Sequence, residues 1–194
     1  RMFTLLAAGD PQLIGLTINF MSGLCSAFAM MFLCWVTIHL ARKLITPDNA
    51  TDNQYTAGQA WTILGAGLIA GLGGTFTDSI WFSAVEGEVY SMSLMFTAMV
   101  VWAACKWDAR ADKPSADNWL LFIGFIIGVT LFVHWLNILA IPAITMVYYF
   151  RRYKPTWPGA ITAFIIGNVL LGFILSGIIQ GVVSVGAAFE LFLV

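Results

Sequence analysis

The chain has 194 residues, 60% hydrophobic and only 10% charged, with a formal net charge of −1 and a mean hydropathy of +0.86. Soluble domains carry about 25% charged residues, so this composition excludes a soluble globular domain and belongs in lipid. The near-zero net charge leaves no electrostatic footprint for nucleic acid. The expected fold is all-α: one polytopic transmembrane bundle over residues 1–194, with about six spanning helices.

The opening RMFTLLAAGDP is too short for a signal peptide and is cut off by Asp10-Pro11. With the apolar ending AAFELFLV, it suggests that both ends lie inside a longer membrane protein. A helix needs about 20 apolar residues to cross the hydrocarbon. The first crossing is expected over 13–41, ending at Arg42-Lys43. A polar loop, LITPDNATDNQYTAGQ, then precedes a second crossing over 60–76. The third is expected over 89–105 and ends at Lys106. The loop KWDARADKPSAD after it is charged and reads as solvated. Two short arms, 118–133 and 136–150, are expected to form a hairpin, with one long tilted helix as the rival reading. The last crossing is expected over 158–183. Two arms of ~16 residues would each reach only ~24 Å, which sinks the turn HWLN below the surface, against protein or a water-filled cavity.

Alternating crossings put eight of the nine basic residues on one side, read as cytoplasmic by the positive-inside rule. Both chain ends, the 77–88 stretch and the turn at His134 then face outward. Trp61, Trp107, Trp119 and Trp157 fall near inner ends, and Trp81 and Trp135 near outer ends, as an aromatic belt requires. Three Gly-x-x-x-Gly pairs, at 67/71, 124/128 and 177/181, invite close helix packing. Cys25, Cys34 and Cys105 read as buried small hydrophobes, and a Cys25–Cys34 disulfide is excluded by the ~13 Å between them on one helix. Asn49-Ala-Thr51 matches a glycosylation acceptor but falls on the inner side.

The stretch TDSIWFSAVEGEVY holds three of the ten acids. Asp78 follows an apolar helix and reads as the cap of a short interfacial helix carrying Trp81 and Phe82, or as a functional acid. Ser83-Ala-Val-Glu86 fits a capping box at the start of the third crossing. On that reading Glu88 lies past the first turn, about 200° from Glu86, so that Glu88 faces the bundle if Glu86 faces solvent. Gly87 beside it would leave room for a ligand. The bland alternative for Glu88 is a snorkelling surface acid. His134 is the only titratable side chain between 118 and 150 apart from Tyr148 and Tyr149; it is either a hydrogen-bonded structural histidine or one wall of an outward site. Asn137, one turn on, would share that site. His39, beside Arg42-Lys43, reads as structural. No phosphate loop, metal-ligand cluster or nucleophile triad is visible.

The segments WFSAVEGEVYSMSLMFTAMVVWA, GVTLFVHWLNILAIPAITMVYYFRRY and NFMSGLCSAFAMMFLCWVTIHLARKL resemble a bacterial polytopic membrane family of formerly unknown function. That family is related to protein O-mannosyltransferases and to GT-C membrane glycosyltransferases. The resemblance covers most of the chain and is most specific at Glu88-Val89-Tyr90 and at the His134 turn. It implies a GT-C-like bundle in a bacterial cytoplasmic membrane. It also implies transfer of a sugar from a polyprenyl-phosphate donor to an outer-face acceptor, a protein hydroxyl or a glycan. The family's acidic Asp-x-Gly-Glu-Phe-like motif in the first outer loop is absent from residues 1–194, so the chain is expected to be inactive alone. The implied site has Glu88 and His134 as catalytic residues and Asp78, Tyr90 and Asn137 as substrate-binding residues. No cofactor is identifiable, and a divalent cation is left open. Two other readings stand beside it: a transporter or flippase-like protein with a Glu/His relay, and a purely structural membrane scaffold.

Overall fold

The protein is described by a computed structural model that covers residue 5 and residues 10–45, 55–131 and 133–193. RMFTLLA, apart from Leu5, and Asn49-Ala-Thr51 lie outside the described residues. Among the described residues, eight α-helices carry the fold: α1 (Pro11–Ile45), α2 (Ala57–Thr75), α3 (Asp78–Val85), α4 (Val89–Asp108), α5 (Asp117–Thr130), α6 (Ala140–Arg152), α7 (Trp157–Phe173) and α8 (Gln180–Leu193). A 3-10 turn, Trp135–Leu139, leads into α6, and a π-helical stretch, Ile174–Ile179, joins α7 to α8. No strand occurs among the described residues.

The helix starts follow local chemistry. Asp10 accepts the Gln12 N–H at 2.9 Å, and Pro11 takes the first helical position, where its missing N–H costs nothing. Thr56-x-x-Gln59 is a full capping box, with the Thr56 hydroxyl on the Gln59 N–H and the Gln59 carbonyl on the Thr56 N–H. It starts α2 three residues before the expected crossing. Thr156 caps α7 by accepting from Gly159.

By length and composition three segments can cross a membrane: α1, α4 and the continuous helical run Trp157–Gly186. A fourth crossing exists if α2 and α3, which meet at a 60° bend, act as one broken span. Among the described residues, three or four helices thus meet this measure, and the expected number of about six is not reached by it. At 14 and 13 residues, α5 and α6 reach only ~20 Å of a ~30 Å hydrocarbon core. The chain reverses between them, because Asp117 at the start of α5 pairs with Arg152 at the end of α6 at 3.2 Å.

α4 is the centre of the bundle. It packs on α1, α5, α6 and α3, while α2 rides on α1 and α7 on α6. In lipid no hydrophobic effect drives apolar helices together, so close packing and interhelical hydrogen bonds must do so. Ser22, Cys25, Ser26 and Ala29 form a buried stripe along α1. Ser26 donates to Ser91 of α4 at 3.1 Å, and Ser91 donates to the Ser83 carbonyl of α3 at 2.5 Å. On the other side of α4, Val100 and Ala103 pack on Ile123 and Ile126 of α5.

The three glycine pairs behave differently. A Cβ at Gly67 would come within 2.5 Å of the Ile38 side chain and 3.1 Å of the Cys34 carbonyl oxygen, and one at Gly71 within 3.3 Å of the Cys34 Cβ. That pair lets α2 close on α1. Gly124, Gly128 and Gly181 face open space, and Gly177 meets only Phe173 of its own helical run. Trp61, Trp81, Trp135 and Trp157 are exposed, as belt residues should be. Trp107 is not: it is 1% exposed and packs with Ala111 and Ala116, so the loop expected to be solvated holds a small core of its own.

Gly67→Val should lower stability by ~1–3 kcal/mol through overpacking against α1, whereas Gly124→Ala should not lower it. Thermal unfolding of the two variants in the same detergent checks this contrast.

Candidate functional site

The loop between α3 and α4 differs from the sequence expectation. Ser83 and Glu86 do not form a capping box. Ser83 lies inside α3, its carbonyl taken by Ser91, and Glu86 is the residue that ends α3 in an extended conformation. The apolar helix begins later, at Val89. Glu88 therefore stands at the N-cap of α4 and not past its first turn. Its side chain makes no cap hydrogen bond and is exposed, and Glu86 is the half-buried one. The expectation that Glu88 looks into the bundle is overturned by the break in the helix at 86–88, which removes the 200° relation between the two acids. The Glu88 N–H closes the turn on the Glu86 carbonyl at 2.8 Å.

Gly87 is also corrected. A Cβ there would meet Ile18 at 2.7 Å and the Asn19 Oδ1 at 3.1 Å. The space beside it admits α1, not a ligand. Asp78 opens α3 as its first residue and is exposed; the cap position belongs to Thr77. An eight-residue helix separates it from Glu86 by ~12 Å along the axis.

His134 follows the end of α5, where its N–H donates to the Thr130 carbonyl at 2.8 Å. Its imidazole is half-buried, and its ring lies 5.7 Å from the Tyr90 ring, tilted by 44°. Tyr90 is exposed in the first turn of α4. The structure thus brings Tyr90 and His134 together from two elements, with Glu88 two residues away on the same helix start. An exposed carboxylate, a phenol and an imidazole offer acceptors and donors that suit hydroxyl and phosphate groups. The helix N-terminus beside them favours negative charge.

Asn137 has a different position. It is 2% exposed, and its Oδ1 accepts from the Thr97 hydroxyl and from the Ser93 hydroxyl at 3.4 Å. This polar clamp fastens the 3-10 turn after His134 to α4. Asn137 thereby fixes where His134 sits and does not face the Tyr90–His134 pair from an open surface. Its Nδ2 has no hydrogen-bond partner among the described residues. Among those residues no three His, Cys, Asp or Glu side chains gather as a metal cage.

The opposite end of α4 carries a charged hub that sequence reasoning missed. Asp108, the last residue of α4, is 14% exposed in its side chain. It pairs with Lys43 of α1, lies 3.8 Å from the His39 Nε2 and 3.6 Å from the Arg151 Nε of α6. Arg151 also pairs with Asp112. These pairs gather the basic ends of α1, α4 and α6 at one end of the bundle, ~30 Å along α4 from Glu88. The available signal was a lone acid at the end of an apolar run that otherwise terminates in bases.

A multi-pass membrane helix bundle, with a charged hub at one end and a polar Glu88–Tyr90–His134 face at the other, is the class that these features define. The chain belongs to the family described as the protein O-mannosyl-transferase TMEM260 N-terminal domain, which matches residues 1–157. No curated protein matches the chain. No solved structure matches it either.

Asn137→Ala should cost ~1–3 kcal/mol, because it takes the acceptor from the buried Ser93 hydroxyl and leaves the half-buried Thr97 hydroxyl with only the Ser93 carbonyl. Thr97→Val should cost less, and the double variant should fall short of the sum. Unfolding midpoints for the cycle measure that coupling.

Proposed function

We propose that this chain is part of a membrane glycosyltransferase that moves a sugar, mannose on the family's name, from a polyprenyl-phosphate carrier to a hydroxyl of a protein acceptor. The single observation that carries this reading is the family match over residues 1–157. The reading extends to a GT-C-like architecture in a bacterial cytoplasmic membrane, with the 77–88 turn and His134 on the outer side. The gathering of Lys43, Lys106, Arg151 and Arg152 at the other end supports that orientation.

In the transfer, the acceptor oxygen forms a bond to the anomeric carbon as the bond from that carbon to the phosphate oxygen breaks. The phosphate leaves with the electron pair, and the hydroxyl proton passes to a carboxylate. Glu88, exposed at the α4 start without a cap bond, is this chain's candidate for that carboxylate. His134 is the candidate donor to the leaving phosphate, since an imidazolium can donate from both nitrogens. Tyr90, in ring contact with His134, would orient it and bond a sugar hydroxyl. Asp78, on the same side but one helix away, would bind the acceptor at the rim.

The test is sugar transfer from polyprenyl-phosphate mannose to a serine- and threonine-bearing peptide, using the full-length protein in membranes. Glu88→Gln should lower kcat by at least ~100-fold, the usual scale for losing a general base, with unchanged folding. Tyr90→Phe should fall between Glu88→Gln and the parent. Parent-like rates in Glu88→Gln would remove Glu88 from the site, and no transfer by the parent with this donor would reject the polyprenyl-phosphate reading.

A further inference from the structure

The basic end of the bundle contains a cleft that the sugar-transfer reading does not use. It lies between α1 and α4, has a volume of about 270 Å³, and is walled by Trp35, Trp102, Ile38 and Cys105 with Arg42, Lys106 and His39 at its edge. Its two cations differ from their neighbours. Lys43, Arg151 and Arg152 are each matched by an aspartate. Among the described residues, Arg42 and Lys106 have no carboxylate partner. Each instead lies against an aromatic face: Arg42 5.4 Å from the Tyr55 ring and Lys106 5.5 Å from the Trp102 ring.

We propose that this cleft binds the headgroup phosphate of an anionic phospholipid from the adjoining leaflet, with Arg42 and Lys106 as the phosphate-binding residues. Charge complementarity selects an anion, because two cations with no carboxylate partner among the described residues border one concave site. Position selects a lipid over a soluble anion. The cleft sits at the end of two membrane-spanning helices, and Trp35, 43% exposed, lies ~10 Å deeper along α1 than Arg42. Cations above an exposed apolar wall fit a headgroup whose acyl chains run down beside the helices. Basic pockets between transmembrane helices bind anionic headgroups for this reason. The volume suits a headgroup and its glycerol, leaving the acyl chains in the surrounding bilayer. Asp108 stands behind His39 and is already committed to Lys43 and Arg151, so it does not neutralise the cleft.

The experiment is a native mass spectrometry titration of the detergent-solubilised full chain with phosphatidylglycerol or phosphatidylcholine. Each cation near an anionic headgroup contributes about fivefold in affinity, so phosphatidylglycerol should bind ~30-fold tighter than phosphatidylcholine. R42Q/K106Q should abolish the preference, while K113Q/K154Q, with the same charge change on the same end outside the cleft, should keep it. C105F, which fills the cleft without changing charge, should lose the preference too, and this keeps the test open if R42Q/K106Q melts early. Equal binding of the two lipids would overturn the proposal. So would equal loss in K113Q/K154Q, which would mean a diffuse basic surface. Displacement of phosphatidylglycerol by equimolar inorganic phosphate would assign the cleft to a soluble anion and also overturn it. Retained preference in R42Q/K106Q would overturn it as well, because the selectivity would then not come from these two cations.

Discussion

The contact between α1 and α4 is the constraint on which the rest of the structure depends. Both helices are apolar enough for lipid, so burial against each other gains them little over burial in acyl chains. What distinguishes their facing surfaces is small size and hydroxyl groups. The Ser22–Cys25–Ser26–Ala29 stripe lets the backbones approach, and the Ser26–Ser91–Ser83 hydrogen bonds pin α3 into the same corner. Once α4 is held there, its two ends are set. One end presents Glu88 and Tyr90, and the other presents Asp108 between two basic helix ends.

The two ends divide the polar chemistry of the molecule. At the Asp108 end, acid and bases neutralise each other, which is how a bundle can gather charge beside lipid at tolerable cost. Three helices are locked in height by that hub. At the Glu88 end, the carboxylate and the Tyr90–His134 pair are left at the surface, while the polar groups just beneath, Asn137, Ser93 and Thr97, are spent on fixing the turn. On the proposed reading, this clamp would support the transfer site from beneath, because reacting groups must be held in register before chemistry begins. The π-helical stretch between α7 and α8 shares a groove with Leu131 and Trp135, on either side of His134, and breaks of this kind are frequent at functional sites.

Much of this was legible in the residues. Low charge and long apolar runs announced a helical membrane bundle, and the Arg42-Lys43 and Arg151-Arg152 pairs marked two helix ends correctly. The capping box Thr56-x-x-Gln59 was not read: those residues were expected in a polar loop, with the crossing starting after them. The Ser83-x-x-Glu86 pattern was equally good on paper and formed nothing. The difference is tertiary. α3 packs on α1 and α4 through Ser91 and Ala84, which keeps Ser83 helical and moves the break to Glu86–Glu88. A local motif wins only when no neighbouring helix claims the same residues. The three glycine pairs teach the same lesson: identical spacing, yet only Gly67 and Gly71 have α1 against them.

The sequence by itself determined the solvent, the helical class, the basic helix ends and most of the residues with any capacity for chemistry. These follow from composition and from the energetic cost of charge in lipid, which are properties of the chain whatever its packing. The tertiary structure alone decided which of those residues meet. It paired Tyr90 with His134 across 44 positions of sequence, turned Asn137 inward as a clamp, put Glu88 at a helix start in the open, and made Asp108 the link between three helices. Such meetings depend on helix rotation and height. In lipid those are set by a few small residues and hydrogen bonds between distant segments, and hydrophobic periodicity along one segment carries no record of them.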